Sequence, residues 1–140
     1  MRSPASSSRA RPARAATVAA AVVLGALAAA CGSKSSARPT TPAKLAILAP
    51  APGAVTGSSV DLRMAVTHAT LATATGTAID PAKGFIHVSV DGHLVGITSN
   101  PNQVVSHLTA GRHTIEAQFV ASDHRPFANA VTASVSITVR

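Results

Sequence analysis

An all-β fold, an antiparallel sandwich of about seven strands, is predicted for the greater part of this 140-residue chain. Two observations predict it. Apolar residues recur at every second position in several runs, which is the pattern of a strand with one buried face. Gly, Pro and Asn residues punctuate these runs, and no run after residue 30 has the period of a helix. The length is sufficient for one domain and little more.

The first thirty residues have the composition of an export signal. The first fourteen contain four Arg and no acidic residue, and residues 15–33 carry no charge. A positive start, a short apolar core and small residues at its end are typical of a secretory signal peptide, whose positive end stays inside the cell. We therefore expect a signal-peptide helix over residues 1–30 and export of the chain that follows.

Cys31 is the only cysteine and directly follows this apolar run. The segment from Leu27 to Cys31 resembles a bacterial lipobox, with Ala28 where Leu is usual. The resemblance implies that Cys31 carries two acyl chains, which suffice to hold a protein at the extracytoplasmic face of the cell membrane. Two alternatives stay open. One is a plain thiol after ordinary cleavage, and the other is an uncleaved membrane helix, for which the run is short and rich in Ala.

Nucleic acid is not an expected partner. The formal net charge is +7 for the whole chain, but from Cys31 onward eight Lys or Arg stand against five Asp or Glu, so that 8 − 5 = +3. Those eight cations are scattered, so the basic balance belongs to the targeting segment. The chain also has no Trp, no Tyr and three Phe, and therefore lacks an aromatic platform for bases or sugars.

Residues 31–44 are predicted to be the lipidated cysteine and a flexible linker, because they are rich in Pro and Ser and have no apolar period. The domain is expected over residues 45–140. Asp91-Gly92 is the residue pair that a tight hairpin favours. The predicted strands are Leu45–Leu48, Val60–Val66, Phe85–Asp91, Leu94–Thr98, Val104–Leu108, His113–Val120 and Val131–Val139.

Seven short strands in a domain of about a hundred residues indicate an immunoglobulin-like sandwich. The segments Ile47–Val55 and Leu108–Ile115 also resemble the opening and a late strand of bacterial immunoglobulin-like domains. The chain thus resembles small, largely uncharacterised bacterial lipoproteins, and its Ala and Arg bias fits an actinobacterium. The long Thr- and Ala-rich connection over residues 69–84 is expected at one end of the sandwich, as a lid or a plain exposed loop.

All six histidines follow Cys31, and histidine is the commonest protein ligand of transition metals. The sequences around His87, His113 and His124 resemble a pattern in small bacterial envelope proteins, some of them suspected of binding copper, with Phe85 where a further His often stands. The resemblance implies a copper or zinc site formed by these three residues. Strand parity points His87 outward and His113 inward, so a shared site requires a bulge, or a His113 that lies before the strand proper. The alternative is a half-buried His113 hydrogen-bonded at a corner of the sandwich, with His87 on the surface.

Catalytic motifs are lacking: the chain has no Gly-x-Ser-x-Gly, no His-Glu-x-x-His and no phosphate-binding glycine loop. We therefore expect no enzyme activity and no cofactor. The expected function is that of a membrane-tethered, non-catalytic module that contacts an envelope protein or serves as an accessory part of an envelope complex. The alternative is metal binding, with copper or zinc held by the histidines. A small hydrolase is a third class with little support.

Overall fold

The structure, a computed structural model, describes residues 37–140 and confirms the predicted fold class, since these residues form nine strands and no helix. Accordingly, this part of the chain offers no helix that is long and apolar enough to cross a membrane. The expected signal peptide and Cys31 lie outside the described residues. The strands are β1 Lys44–Ala49, β2 Val55–Thr56, β3 Val60–Thr67, β4 Thr70–Leu71, β5 Lys83–Val90, β6 His93–Thr98, β7 Asn102–Val105, β8 Gly111–Val120 and β9 Pro126–Val139.

The strands form two sheets. Sheet A has the order β1-β3-β7 and is antiparallel throughout. Sheet B has the order β2-β9-β8-β5, and the far edge of β5 pairs with the short β4 at its start and with β6 along the rest. The three-stranded sheet facing a sheet built on the long strands β5, β8 and β9 is the immunoglobulin-like arrangement.

The core fills the space between the two sheets. Leu62 of sheet A and Ile86 and Ile115 of sheet B are completely buried there. Each side chain of this kind contributes about 1.5–3 kcal/mol when it leaves water. Because strand residues alternate between the two faces, the neighbours of these core residues lie on the outer faces of the sheets. This alternation turns His87 away from the core.

Most predicted strands agree with the structure within a few residues, and the largest differences concern β9 and β7. The strand β9 begins at Pro126, five residues before the expected Val131. The expected strand over Val104–Leu108 is found at Asn102–Val105. The chain leaves sheet A after Val105, and His107 has a left-handed backbone with φ of 63°. Alternation alone does not reveal such a turn. The two-residue strands β2 and β4 were not predicted, since so short a ladder has no period.

The domain begins earlier than the linker expected over residues 31–44 allows. Arg38 donates hydrogen bonds to the carbonyls of Pro126 and Arg125, at 2.9 and 2.8 Å, and forms an ion pair with Asp123. Thr41 exchanges two hydrogen bonds with Asn129, each 2.8 Å long. These contacts hold the segment after residue 37 against the start of β9. They are polar, and a search for apolar periodicity therefore does not detect them.

Candidate functional site

His87 and His124 lie side by side on the outer face of sheet B. The imidazole nitrogen Nε2 of His87 is 3.4 Å from Nδ1 of His124, and the two rings stack with centroids 5.6 Å apart. His87 comes from β5, whereas His124 comes from the turn between β8 and β9. The turn after β8 therefore brings the ring of His124 back beside β5, the strand that pairs with β8.

The backbone of the turn explains the position of His124. Its amide donates to the carbonyl of Ala121 at 2.9 Å, and its φ of 61° lies in the left-handed region. His adopts this region more readily than most residues that carry a side chain. The His124 ring then packs on Phe85, with ring centroids 4.8 Å apart, and helps to cover this outward-facing phenylalanine.

The surroundings of His87 favour a neutral imidazole. Partial burial lowers the pKa of His87, and the neighbouring His124 lowers it further because two positive rings repel each other. A neutral imidazole has one nitrogen with a free lone pair, which can accept a hydrogen bond or bind a metal ion. The pair thus places one ring nitrogen of His87 within 3.4 Å of one ring nitrogen of His124.

His113 lies in a different environment, in which both ring nitrogens have protein partners. Nδ1 is 2.6 Å from the carboxylate of Asp91, and Nε2 is 2.8 Å from the carbonyl of Thr109. The hydrogen bond to Asp91, followed by that to Thr109, raises the pKa of His113. The pKa of Asp91 is lowered by the backbone N–H of Thr114 and then by His113. This cluster ties the turn between β5 and β6 to the start of β8.

The structure therefore brings together two of the three predicted metal ligands. His87 is opposite Gln118 on β8, and His113 is five residues further along that strand, a distance of about 17 Å. Within residues 37–140, no three His, Cys, Asp or Glu side chains are grouped so that they could share one ion. Sequence reasoning missed the contact between Asp91 and His113, which follows from the pairing of Val90 with Ile115.

A second surface feature lies where β6 and β7, the edge strands of the two sheets, run past each other. We call these two strands, with the groove between them, the open edge. The groove has a volume of about 180 Å³, and its floor includes the core residue Val88. Gly96 leaves space beside Gln103, whose side-chain nitrogen would lie 3.8 Å from an added Cβ. The large apolar side chains that stay 49–55% exposed here are Leu94, Val95, Ile97 and Val104.

The open edge also lacks charge. Residues 93–111 contain no Asp, Glu, Lys or Arg. Across the rest of the described chain, just two further large apolar side chains, Leu48 and Val55, are exposed to a similar degree. Sequence analysis did not single out this surface, although the uncharged stretch was visible. Which of its apolar residues are exposed depends on a bulge at Val95 and on the absence of a neighbouring strand.

Comparison with protein families and with curated proteins finds no match. Among solved structures, the chain is similar to the fibronectin(III)-like modules of CbhA from Clostridium thermocellum. The sequence identity is 19%, and the TM-score is 0.45. The alignment covers 69% of this chain and 95% of the module.

Proposed function

We propose that this protein is an exported lipoprotein, anchored through Cys31 to the extracytoplasmic face of the cell membrane. Its sandwich domain is a non-catalytic module that binds a protein of the cell envelope through the open edge. The observation that carries the proposal is the cluster of half-exposed apolar side chains on uncharged edge strands. An unprotected edge of this kind is a template for pairing with another chain, and monomeric proteins normally blunt it.

The attachment of Arg38 to the domain supports a role close to the membrane. The chain from Cys31 to Arg38 spans at most about 25 Å when fully extended. Arg38 contacts the turn between β8 and β9, so the described chain joins the domain at that turn.

The anchor is tested by mass spectrometry of the full chain after expression in a bacterium that processes lipoproteins. We expect a mature N-terminal peptide that begins at Cys31 and carries acyl chains, with the protein in the membrane fraction. Cys31→Ser should abolish both, whereas Ser36→Ala, a control in the same segment, should change neither. A mature chain with an unmodified thiol would contradict the anchor.

The contact surface is tested by a photoreactive amino acid introduced into the full chain in living cells. At Ile97 on the open edge, illumination should produce cross-linked adducts. At Ser134, an exposed position on the outer face of β9, it should produce at least fivefold fewer. Equal yields at both positions, or none at Ile97, would contradict the proposed surface.

A second candidate function, metal binding, is favoured by the contact between His87 and His124. Two imidazole nitrogens bound to one zinc ion at tetrahedral geometry are about 3.4 Å apart, which is the separation found here. Imidazole suits zinc and copper, and water would complete the coordination shell. The low pKa of His87 favours the neutral ring that a metal requires.

Titration of the full chain with Zn(II), Cu(II) and Cu(I) tests this candidate. We expect one equivalent to bind, and His87→Ala or His124→Ala to weaken binding at least tenfold. His113→Ala is the matched control, because its ring nitrogens already have protein partners, and it should leave affinity unchanged. Weak binding that no single substitution alters would exclude the pair as a metal site.

A further inference from the structure

We propose that the partner of the open edge is a second copy of this chain, whose β6 pairs antiparallel with β6 across a two-fold axis. The two copies of sheet B then form one continuous sheet. This inference deepens the proposed function and rests on it, since it names the partner that the open edge binds.

The outer edge of β6 is available for such pairing. The strand pairs on one side with β5, and β4 occupies the same edge of β5 further along. The six residues of β6 include no charged residue and no proline, the side chains that most often prevent pairing. A bulge at Val95 is the one irregularity in the ladder between β5 and β6.

That bulge determines the register in which β6 of the two copies can pair while outer-face side chains of sheet B stay opposite each other. Leu94 lies opposite Ser89, and Ile97 lies opposite His87, so both point to the outer face of sheet B although they are three residues apart. Directly opposed residues of an antiparallel pair share a face. Pairing Leu94 of one copy with Ile97 of the other therefore keeps outer side chains together. In the same register all six residues of β6 overlap, and the bulged Val95 faces Gly96 of the second copy.

The charge distribution permits two identical surfaces to meet. In a two-fold interface, a charged side chain close to the axis approaches the same side chain of the second copy, and this like-charge contact is unfavourable. Residues 93–111 carry none, so this penalty is absent. The pairs that form are instead Leu with Ile, whose apolar contact stabilises cross-strand pairing.

Anchoring explains how a small interface becomes effective. A single strand pair buries less surface than the roughly 1,000 Å² that a stable complex in solution requires. Two chains confined to one membrane meet at a much higher effective concentration, which raises the paired fraction without any new contact. Dimers are therefore expected on the membrane more than in dilute detergent.

Register-specific disulfide formation tests the proposal in membranes of cells that express the full chain. Leu94→Cys and Ile97→Cys are expressed separately and together, and both sites are half exposed in the monomer. Opposed Cα atoms in the proposed pair are about 5 Å apart, within the range of a disulfide. Residue 94 of one copy is about 10 Å from residue 94 of the other, beyond that range. The wild-type chain reveals any cross-link through a free Cys31.

Co-expression should yield at least fivefold more disulfide-linked dimer than either variant alone, with peptides that join positions 94 and 97. Equal yields in the separate and mixed samples, or no disulfide in any sample, would overturn the dimer. Disulfides to a different protein would also overturn it, but would leave the proposed function standing. As an independent measurement, native mass spectrometry of the chain ejected directly from membrane vesicles should give at least tenfold less dimer for Ile97→Lys, and no change for Ser134→Lys. Equal dimer for Ile97→Lys and wild type would contradict the proposal.

Discussion

The two sides of the sandwich differ in how their edge strands are treated. On one side, β1 begins with Lys44 and ends next to Pro50, and the short β2 covers the edge of β9. The amides of Thr138 and Arg140 donate to carbonyls in and beside β2, at 2.9 and 3.0 Å. On the other side, no strand of residues 37–140 covers the outer edge of β6, and β6 carries no charge. Four large apolar side chains are half exposed on the open edge, whereas the β1 side exposes Leu48 on β1 and Val55 on β2.

The open outer edge of β6 is therefore not shared by the edge strands on the β1 side of this domain. Charge, proline and short covering strands are the usual means of protecting an edge, and the β1 side of this domain has all three. Apolar exposure on the other side favours association. A domain that protects one edge and leaves the other open is expected to use the open one for contact.

The largest expected effect on stability comes from comparing two glycines, Gly84 on the central strand β5 and Gly96 on the open edge. A Cβ added to Gly84 on β5 would lie 2.0 Å from the carbonyl oxygen of Val120, which is backbone and cannot move away freely. Gly84→Ala should therefore lower the free energy of unfolding by more than about 3 kcal/mol. Gly96→Ala on β6 should change it by less than about 1 kcal/mol. Denaturant unfolding checks both, and similar losses would contradict the account of the edge.

The next largest expected effect comes from comparing Ile86 in the core with Ile97 on the open edge. Ile86→Ala creates a cavity in the core and should lower the free energy of unfolding by about 2–5 kcal/mol. Ile97→Ala, whose side chain is half exposed, should lower it by less than about 1 kcal/mol but reduce cross-linking from a photoreactive residue placed at Val95 of the open edge. Thermal unfolding and cross-linking yield are measured on the same samples. A large loss of stability for Ile97→Ala would indicate a structural role instead.

The histidines should give opposite pH dependences. Because the folded pKa of His113 is raised, its stabilising effect is full below about pH 6.5 and is lost as the pH rises through the folded pKa. The folded pKa of His87 is lowered, so the unfolded chain takes up the proton more readily and stability falls below about pH 6.5.

Variants at these two positions check the sign. His113→Gln should lose more stability, measured as melting temperature, at about pH 5.5 than at about pH 8.5. His87→Gln should instead gain relative to the wild type as the pH falls. Parallel curves for the two variants would show that the two histidine environments do not differ as described.

The smallest expected effect on stability concerns the segment after residue 37, which is held against the start of β9. Arg38→Gln removes the ion pair with Asp123 and should accelerate cleavage before Lys44 by a protease of broad specificity, with little change in melting temperature. These contacts are partly exposed, so their contribution to global stability is small. Arg63→Gln, at an exposed position on β3, is the control. Equal cleavage of both variants would mean that the ion pair does not hold the segment.

Strand alternation in the sequence predicts the fold and much of the core. The alternation of Val60, Leu62 and Met64 places them inside, as found, and the Asp91-Gly92 hairpin is confirmed by the pairing of Val90 with His93. These features depend on neighbours along the chain. They can therefore be derived without knowledge of the other strands.

The candidate sites depend on contacts that local patterns do not contain. The meeting of His87 with His124 requires the left-handed turn at His124, and the bond from His113 to Asp91 requires the register between β5 and β8. The open edge requires knowing which strand lies at the border of its sheet. Each is a property of the assembled fold. The sequence therefore indicated His87, His113 and His124 without showing which of them meet, and it did not indicate the open edge.

Amide hydrogen exchange of the full chain can show whether the open edge is the contact surface of a membrane-anchored module. The chain in its native membrane is compared with the purified chain diluted in detergent. We expect slower exchange in the membrane for peptides that cover β6 and β7, and equal exchange for β1, where the edge is protected. Equal exchange in β6 and β7 under both conditions, or protection confined to another surface, would contradict it.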